Sequence, residues 1–297
     1  MDGVRLRADV LFSDHTGEPK NSVQKSSTKI IQKLLPALLR MLRPDEAVLY
    51  AAAARSPLSL IEQLTAAWWT SALAACAIVA TNHRILFFPL KLDRTWRQSV
   101  RAVHWGDLQE VKRRGVLMPS MAFKFKDGTK VTYTGFRLRD AKKLALLASV
   151  LLAPSSGEQT AAQRAVSLCP DCCSVLTDGQ YLCPHCGLTF KNERSMILRS
   201  ILLPGGGYFY TGHPLIALLP AVVEGIFLFD IIVLLFTGLS SPNALPELTG
   251  TLLILAIFWG LETAITILHC RRYIREFIPE TRDPNRVPRA AVPGLGG

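Results

Sequence analysis

The 297-residue chain has room for about two domains. Its net charge of +11 is uneven: residues 1–152 carry 24 Lys and Arg against 12 Asp and Glu, whereas residues 153–297 carry 10 against 11. The basic excess belongs to the first half, where it points to an anionic lipid surface, a nucleic acid or an acidic protein, or else to a solvated basic surface. Four of the seven cysteines sit in two closely spaced CxxC pairs, which suits a reducing compartment better than a secreted disulfide framework.

Met1 to Lys20 is mixed and charged without an apolar core, so no cleavable signal peptide is expected. Residues 1–28 lack a sustained period and are expected to be a flexible N-terminus. Residues 29–42 place Ile30, Ile31, Leu34, Leu35, Leu38, Leu39 and Leu42 at helical spacing, with Pro36 predicting a kink or a late start. This helix either packs on the following domain or lies on a membrane surface, and seven apolar positions favour packing. From Pro44 the pattern turns to strands: Ala47 to Tyr50, Ala74 to Ala80, Thr81 to Phe88 and Val100 to Trp105. Met121 to Lys126 and Lys130 to Thr134 flank Asp127-Gly128, a hairpin signal. Arg139 to Leu152 is a helix with Leu144, Leu147, Ala148 and Leu151 as its core stripe. Ala66 to Ala80, including Trp68 and Trp69, is read as buried helix and strand, being too short to span a bilayer.

In this order, "RPDEAVLY", "ATNHRILFF", "VHWGDLQEVKRRG", "FKFKDGTKVTY" and "RLRDAKKLALL" resemble the bacterial pleckstrin-homology-like and GRAM-like domains. The resemblance covers residues 43–152 and implies a curved β-sheet or barrel closed by a C-terminal helix. With the preceding amphipathic helix, the expected domain is 29–152, followed by a polar linker over 153–166.

Cys169-Pro170-Asp171-Cys172 and Cys183-Pro184-His185-Cys186 are two CxxC knuckles. Each tight turn offers two thiolates, half of the tetrahedron that Zn²⁺ takes in structural sites. Disulfides or a redox pair are the alternatives; two knuckles in register favour one structural Zn²⁺ held by all four cysteines. The stretch 167–191 looks like a zinc ribbon, with Ser174 to Leu182 expected as a small hairpin turning at Asp178-Gly179. Cys173 and His185 are spare donors left out of the shell. The ribbon is expected to act as a metal-stapled spacer.

Residues 192–278 read as a membrane hairpin with spans at 214–236 and 248–270, each long enough for a hydrocarbon core of about 30 Å. Lys191, Arg194 and Arg199 precede the first span, Arg271, Arg272 and Arg275 follow the second, and the intervening turn has neither Lys nor Arg. The positive-inside rule places both ends in the cytoplasm. Ahead of the first span, Pro204, Gly205, Gly207, Tyr210 and Gly212 are similar to the PGxGxxYxG entry motif of small bacterial two-span membrane domains. The glycines suit close helix approach and Tyr208 and Tyr210 suit the headgroup level. Glu224 and Glu262 lie inside the spans, either as a proton or cation site or, the favoured reading, as neutral side chains hydrogen-bonded between helices. Residues 279–297 are Pro- and Gly-rich and expected to be disordered.

The expected architecture is thus a multidomain α+β chain with membrane helices. No nucleophile elbow, HExxH, P-loop or dinucleotide fingerprint is present, and no enzymatic activity is expected. The leading expectation is an adaptor integral to the inner (cytoplasmic) membrane. Its pleckstrin-homology-like domain binds an anionic lipid or a protein, with Lys112, Arg113, Arg114, Lys124, Lys126 and Lys130 as the lipid candidates. The alternative is a transport-related subunit that self-associates through the hairpin and uses Glu224 and Glu262. The ribbon arm Cys173–Leu182 lacks Lys and Arg, which argues against nucleic acid.

Overall fold

The computed structural model describes residues 4–66, 73–152, 165–238 and 244–280. They form two compact units, one within Met1–Thr189 and the other Phe190–Glu280.

The first unit is α+β. After a short helix α1 (Ala8–Leu11) comes the long helix α2 (Asn21–Met41), then β1 (Val48–Arg55) and α3 (Leu60–Ala66). β2 (Ala75–Thr81), β3 (Arg84–Pro89) and β4 (Val100–His104) continue the meander. β5 (Leu108–Arg114), β6 (Ser120–Phe125) and β7 (Lys130–Tyr133) form a second, antiparallel sheet, and α4 (Leu138–Leu152) follows. β8 (Val166–Leu168) and β9 (Val175–Leu176) extend the first sheet to the order β1-β2-β3-β4-β8-β9. Backbone bonds between Arg55 and Thr134 (2.7 and 3.0 Å) tie β1 to the chain just after β7.

The apolar pattern explains the layering. In β2, Cys76, Ile78 and Ala80 face a core shared with Phe87, Trp105, Phe123, Phe125 and Leu144. Ala77 and Val79 face the opposite way, into a core made with Ile31, Leu34 and Leu38 of α2. Period-two side chains thus bury both faces of one strand, so β2 reads as a continuous apolar run. Phe87 stacks on Tyr133 at 4.6 Å and meets Phe123 edge-on at 5.8 Å, joining the two sheets.

Two sequence expectations are corrected at the N-terminus. Residues 4–28 hold α1 and the first turns of α2, and α2 starts at Asn21 rather than 29. Leu11 is fully buried, and Val48 N–H donates to the Arg5 carbonyl at 3.0 Å. The buried Asp14 carboxylate accepts from Thr16 N–H at 2.7 Å and pairs with Lys20. Lys143 of α4 donates to Ser13 Oγ at 2.8 Å and to the Asp14 carbonyl at 2.9 Å. These polar ties have no period, so they leave no pattern in the sequence. Pro36 lies inside α2 without ending it; it is exposed, as is Gln32, whose carbonyl the ring deprives of a partner and water can satisfy.

The second unit holds α5 (Glu193–Leu202), α6 (Gly206–Thr211), α7 (Pro214–Gly238) and α8 (Ala244–Ile274). Pro214–Val233 (20 residues) and Thr249–Ile274 (26 residues) are long and apolar enough to cross a membrane. Only 12% and 11% of these stretches is buried, so their apolar surface is mostly uncovered by protein. Trp68, Trp69, the linker 153–164 and the tail 281–297 lie outside the described residues.

Candidate metal centre and basic surfaces

The two knuckles fold alike. Cys173 N–H donates to the Cys169 carbonyl at 3.0 Å, and Gly187 N–H donates to the Cys183 carbonyl at 3.0 Å. Both closing residues have positive φ, 59° at Cys173 and 70° at Gly187. Cys173 therefore occupies the turn position that glycine fills in the second knuckle, which is why it is not a fifth ligand. Its thiol contacts the Arg40 carbonyl at 3.6 Å instead.

The sulfurs of Cys169, Cys172, Cys183 and Cys186 all lie within 4.8 Å of one another, and all four cysteines are free of disulfides. Cys169 to Cys186 is 3.6 Å and Cys172 to Cys183 is 3.5 Å. A tetrahedral ion with metal–sulfur bonds of ~2.3 Å needs sulfurs ~3.8 Å apart, so the donor set fits a metal ion. Burial resists ionisation of Cys183. The Ser174 hydroxyl at 3.2 Å and the His185 and Cys186 amides outweigh that and bring its thiol down to about 6. Burial pushes the Cys169 thiol up. Cys173→Ser should leave the metal content of the purified chain unchanged, because Cys173 lies outside the cluster; loss of the metal would contradict this ligand assignment.

The ribbon is not a free-standing bead. β8 pairs with β4 through Val100–Leu168, Arg101–Ser167 and Ala102–Val166. Asp171 lies 3.7 Å from Arg40 near the end of α2. The expected hairpin is also different. Asp178-Gly179 does turn, with Gln180 N–H on the Thr177 carbonyl at 3.1 Å. However, β9 pairs back to β8, and Leu182 bridges to Thr189.

The six basic candidates run along the second sheet, from the Asp127-Gly128 turn to the end of β5. Register places Glu110, Lys124 and Lys130 side by side on one face, and Lys112 pairs with Glu110. Lys112 beside it holds the Glu110 carboxyl below its usual range, with Lys124 and Lys130 adding to the effect. Lys126, two residues beyond Lys124, sits at the same end, by the Asp127-Gly128 turn, with its N–H on the Asp107 carbonyl at 3.0 Å. Arg113 and Arg114 end β5, next to the loop carrying Val116, Leu117 and Met118. Leu117 is 98% exposed and Met118 88%. Gly115 permits that loop: its φ is +70°, and a Cβ there would lie 2.7 Å from the Met118 carbonyl oxygen.

In the second unit the glycine run is a close-packing device. A Cβ on Gly205 would meet Ala217 O at 2.7 Å, and one on Gly207 would meet Ser200 Oγ at 2.3 Å and Thr266 Cγ2 at 2.8 Å. Gly207→Ala should therefore lower the thermal stability of the detergent-solubilised chain by about 1–3 kcal/mol. Gly225→Ala, whose Cβ meets nothing within 4 Å, should leave it unchanged. Tyr208 and Tyr210 were expected at headgroup level; both are buried within the unit. Tyr208 Oη lies 2.5 Å from His269 Nδ1, and Tyr210 Oη accepts from Asn192 N–H at 3.1 Å. Glu262 Oε1 accepts from Thr266 Oγ1 at 2.6 Å. Glu224 lies on α7, with its side chain outside the described ones.

No family model matches the chain, and no curated protein matches it. Among solved structures, the C-terminal domain of an unknown protein from Leishmania infantum aligns at 13% identity and TM-score 0.26, covering 41% of this chain and 93% of that one. The Vps36 N-terminal PH domain aligns at 17% identity and TM-score 0.28, covering 38% of this chain and 83% of that one. At these TM-scores neither likeness assigns an activity or a ligand to the chain.

Proposed function

We propose that this chain is a non-enzymatic adaptor of the bacterial inner membrane. Its two apolar helices span the bilayer, both termini are cytoplasmic, and one structural Zn²⁺ on the four cysteines secures the pleckstrin-homology-like unit. Four thiolates fill a tetrahedral shell and leave no open position for a reacting water, which favours a structural role for the ion. The ribbon then serves as the outer edge of the β-sheet as well as the link to the membrane hairpin.

One observation carries the membrane-surface reading: the β5–β6 loop presents Leu117 and Met118 beside Arg113 and Arg114. Apolar side chains can enter the acyl boundary while adjacent cations meet anionic headgroups, each cation contributing ~1 kcal/mol. Full-length chain in proteoliposomes containing a photoreactive anionic phospholipid should be labelled within residues 113–121. R113Q/R114Q should reduce that label severalfold. Labelling confined to Pro214–Val233 and Thr249–Ile274 would reject lipid as the ligand and leave the protein partner, to be sought by cross-linking in native membranes.

A second reading, a transport-related oligomer, is favoured by one detail: Glu262 Oε2 is buried within a span and meets no side-chain hydrogen-bond partner among the described residues. Proton flux into proteoliposomes that is abolished by Glu262→Gln would support it; unchanged flux, or none in the wild type, would reject it.

A further inference from the structure

The first unit contains a cavity of about 530 Å³ between the N-terminal half of α2 and the outer face of β1 and β2. Its origin is in the sequence. Ala53 pairs with Ala77 and Arg55 with Ala75, so beneath Lys29 and Lys33 of the helix the floor is alanine methyl groups, with Arg55 at its edge. One turn further along, larger residues close the gap, as Leu34 and Leu38 pack with Val79, Leu86 and Phe88.

Five cations line this cavity: Lys29, Lys33, Arg55, Arg94 and Arg137. All five side chains are exposed, and none forms a carboxylate ion pair among the described residues. Lys33 donates to the Asp93 carbonyl at 3.1 Å, and Asp93 is the nearest acid on that loop. The acid in the lining, Asp140, is turned to other partners: it accepts from Tyr50 Oη at 2.8 Å and from Arg139 Nε at 3.2 Å. Five like charges around a concave wall give it a positive potential that favours an anion. The volume lies in the range of small-molecule sites, and arginine's planar fork suits phosphate oxygens. The alanine floor gives a small apolar seat below the charged rim.

We infer that the groove between α2 and the β1–β2 face binds a phosphate-bearing ligand with a short apolar portion, separately from the β5–β6 loop. The phosphate belongs either to a lipid headgroup or to a free small molecule.

The test uses the full-length chain in neutral detergent, titrated calorimetrically with inorganic pyrophosphate and with dihexanoyl phosphatidic acid. At least one probe should bind. R55Q/R137Q should weaken it at least about tenfold, because each arginine would lose its charge-assisted hydrogen bonds to the phosphate. A53L, which fills the floor and keeps every charge, should weaken the phosphatidic acid probe as well. R113Q/R114Q should bind like wild type, which keeps this result distinct from the labelling experiment on the loop. Tighter binding of phosphatidic acid identifies a headgroup site, and tighter binding of pyrophosphate a small-molecule site. Binding of neither probe, equal binding by R55Q/R137Q, or equal loss in R113Q/R114Q would overturn the inference. Because the Arg55 and Arg137 side chains are exposed, R55Q/R137Q is expected to melt like wild type, so it carries the test even if A53L unfolds.

Discussion

Replacing Glu46 by alanine is expected to destabilise the first unit by about 3–5 kcal/mol. Glu46 is fully buried, and its partner Arg84 is 7% exposed. Arg84 Nη2 donates to Glu46 Oε2 at 2.9 Å and Nε to Oε1 at 3.0 Å. Thr81 Oγ1 donates to Oε1 at 2.7 Å, and Arg43 N–H donates to Oε2 at 3.2 Å. Arg84 also reaches the Met41 carbonyl at 2.7 Å, so one network ties the end of α2 to the β2–β3 turn and the start of β1. Removing the carboxylate leaves a guanidinium buried without its counter-charge, and that orphaned charge dominates the loss. The same network predicts acid sensitivity. Burial pushes the Glu46 carboxyl up, but Arg84, Thr81 and the Arg43 amide outweigh it and hold it below its ordinary 4.5. A depressed folded value means that the contribution is complete above pH ~4.5 and is lost as pH falls through the folded value. Chemical denaturation of wild type and Glu46→Gln at pH 7 and pH 4 should show their stabilities converging at the lower pH. A constant gap would mean that the charge does not carry the effect.

Cys172→Ser should have the other large effect. A ribbon of this size buries too little apolar surface to fold unaided, and structural zinc contributes on the order of 10 kcal/mol to folding such modules. The variant should lose its metal, and chelation of wild type should give the same state. Amide exchange should then rise across Val166 to Phe190, because β8 and β9 depend on the knuckles at Cys169 and Cys183 for their position. β4 should lose protection on the side that faces β8, while β2 and β3, paired on both sides by other strands, keep theirs. Retained protection in the metal-free chain would show that the sheet holds the ribbon without an ion.

Some of this was legible in the residues because the signals are local. Asp127-Gly128 forms its turn, with Gly128 at φ +88° and Thr129 N–H on Asp127 Oδ1 at 2.9 Å. The four cysteines meet because each knuckle is a turn specified within a few residues. The two long helices follow from unbroken apolar runs. What stayed hidden depends on register and on distant partners. Cys173 looked like a spare donor, and only its positive φ reveals a turn position. The antiparallel register of β5 and β6, which the residues do not show, puts Arg114 beside Ser120 at one end of the pair and Lys126 beyond Phe125 at the other. The cations of the α2 groove come from four separate segments, and its alanines read as ordinary strand filling until β1 and β2 are paired.

Pro214–Val233 and Thr249–Ile274 are the proposed membrane anchor. Alkaline carbonate extraction of membranes from cells producing the full-length chain tests it most directly. The chain should stay with the membrane pellet; its release into the supernatant, in folded and unaggregated form, would exclude the anchor.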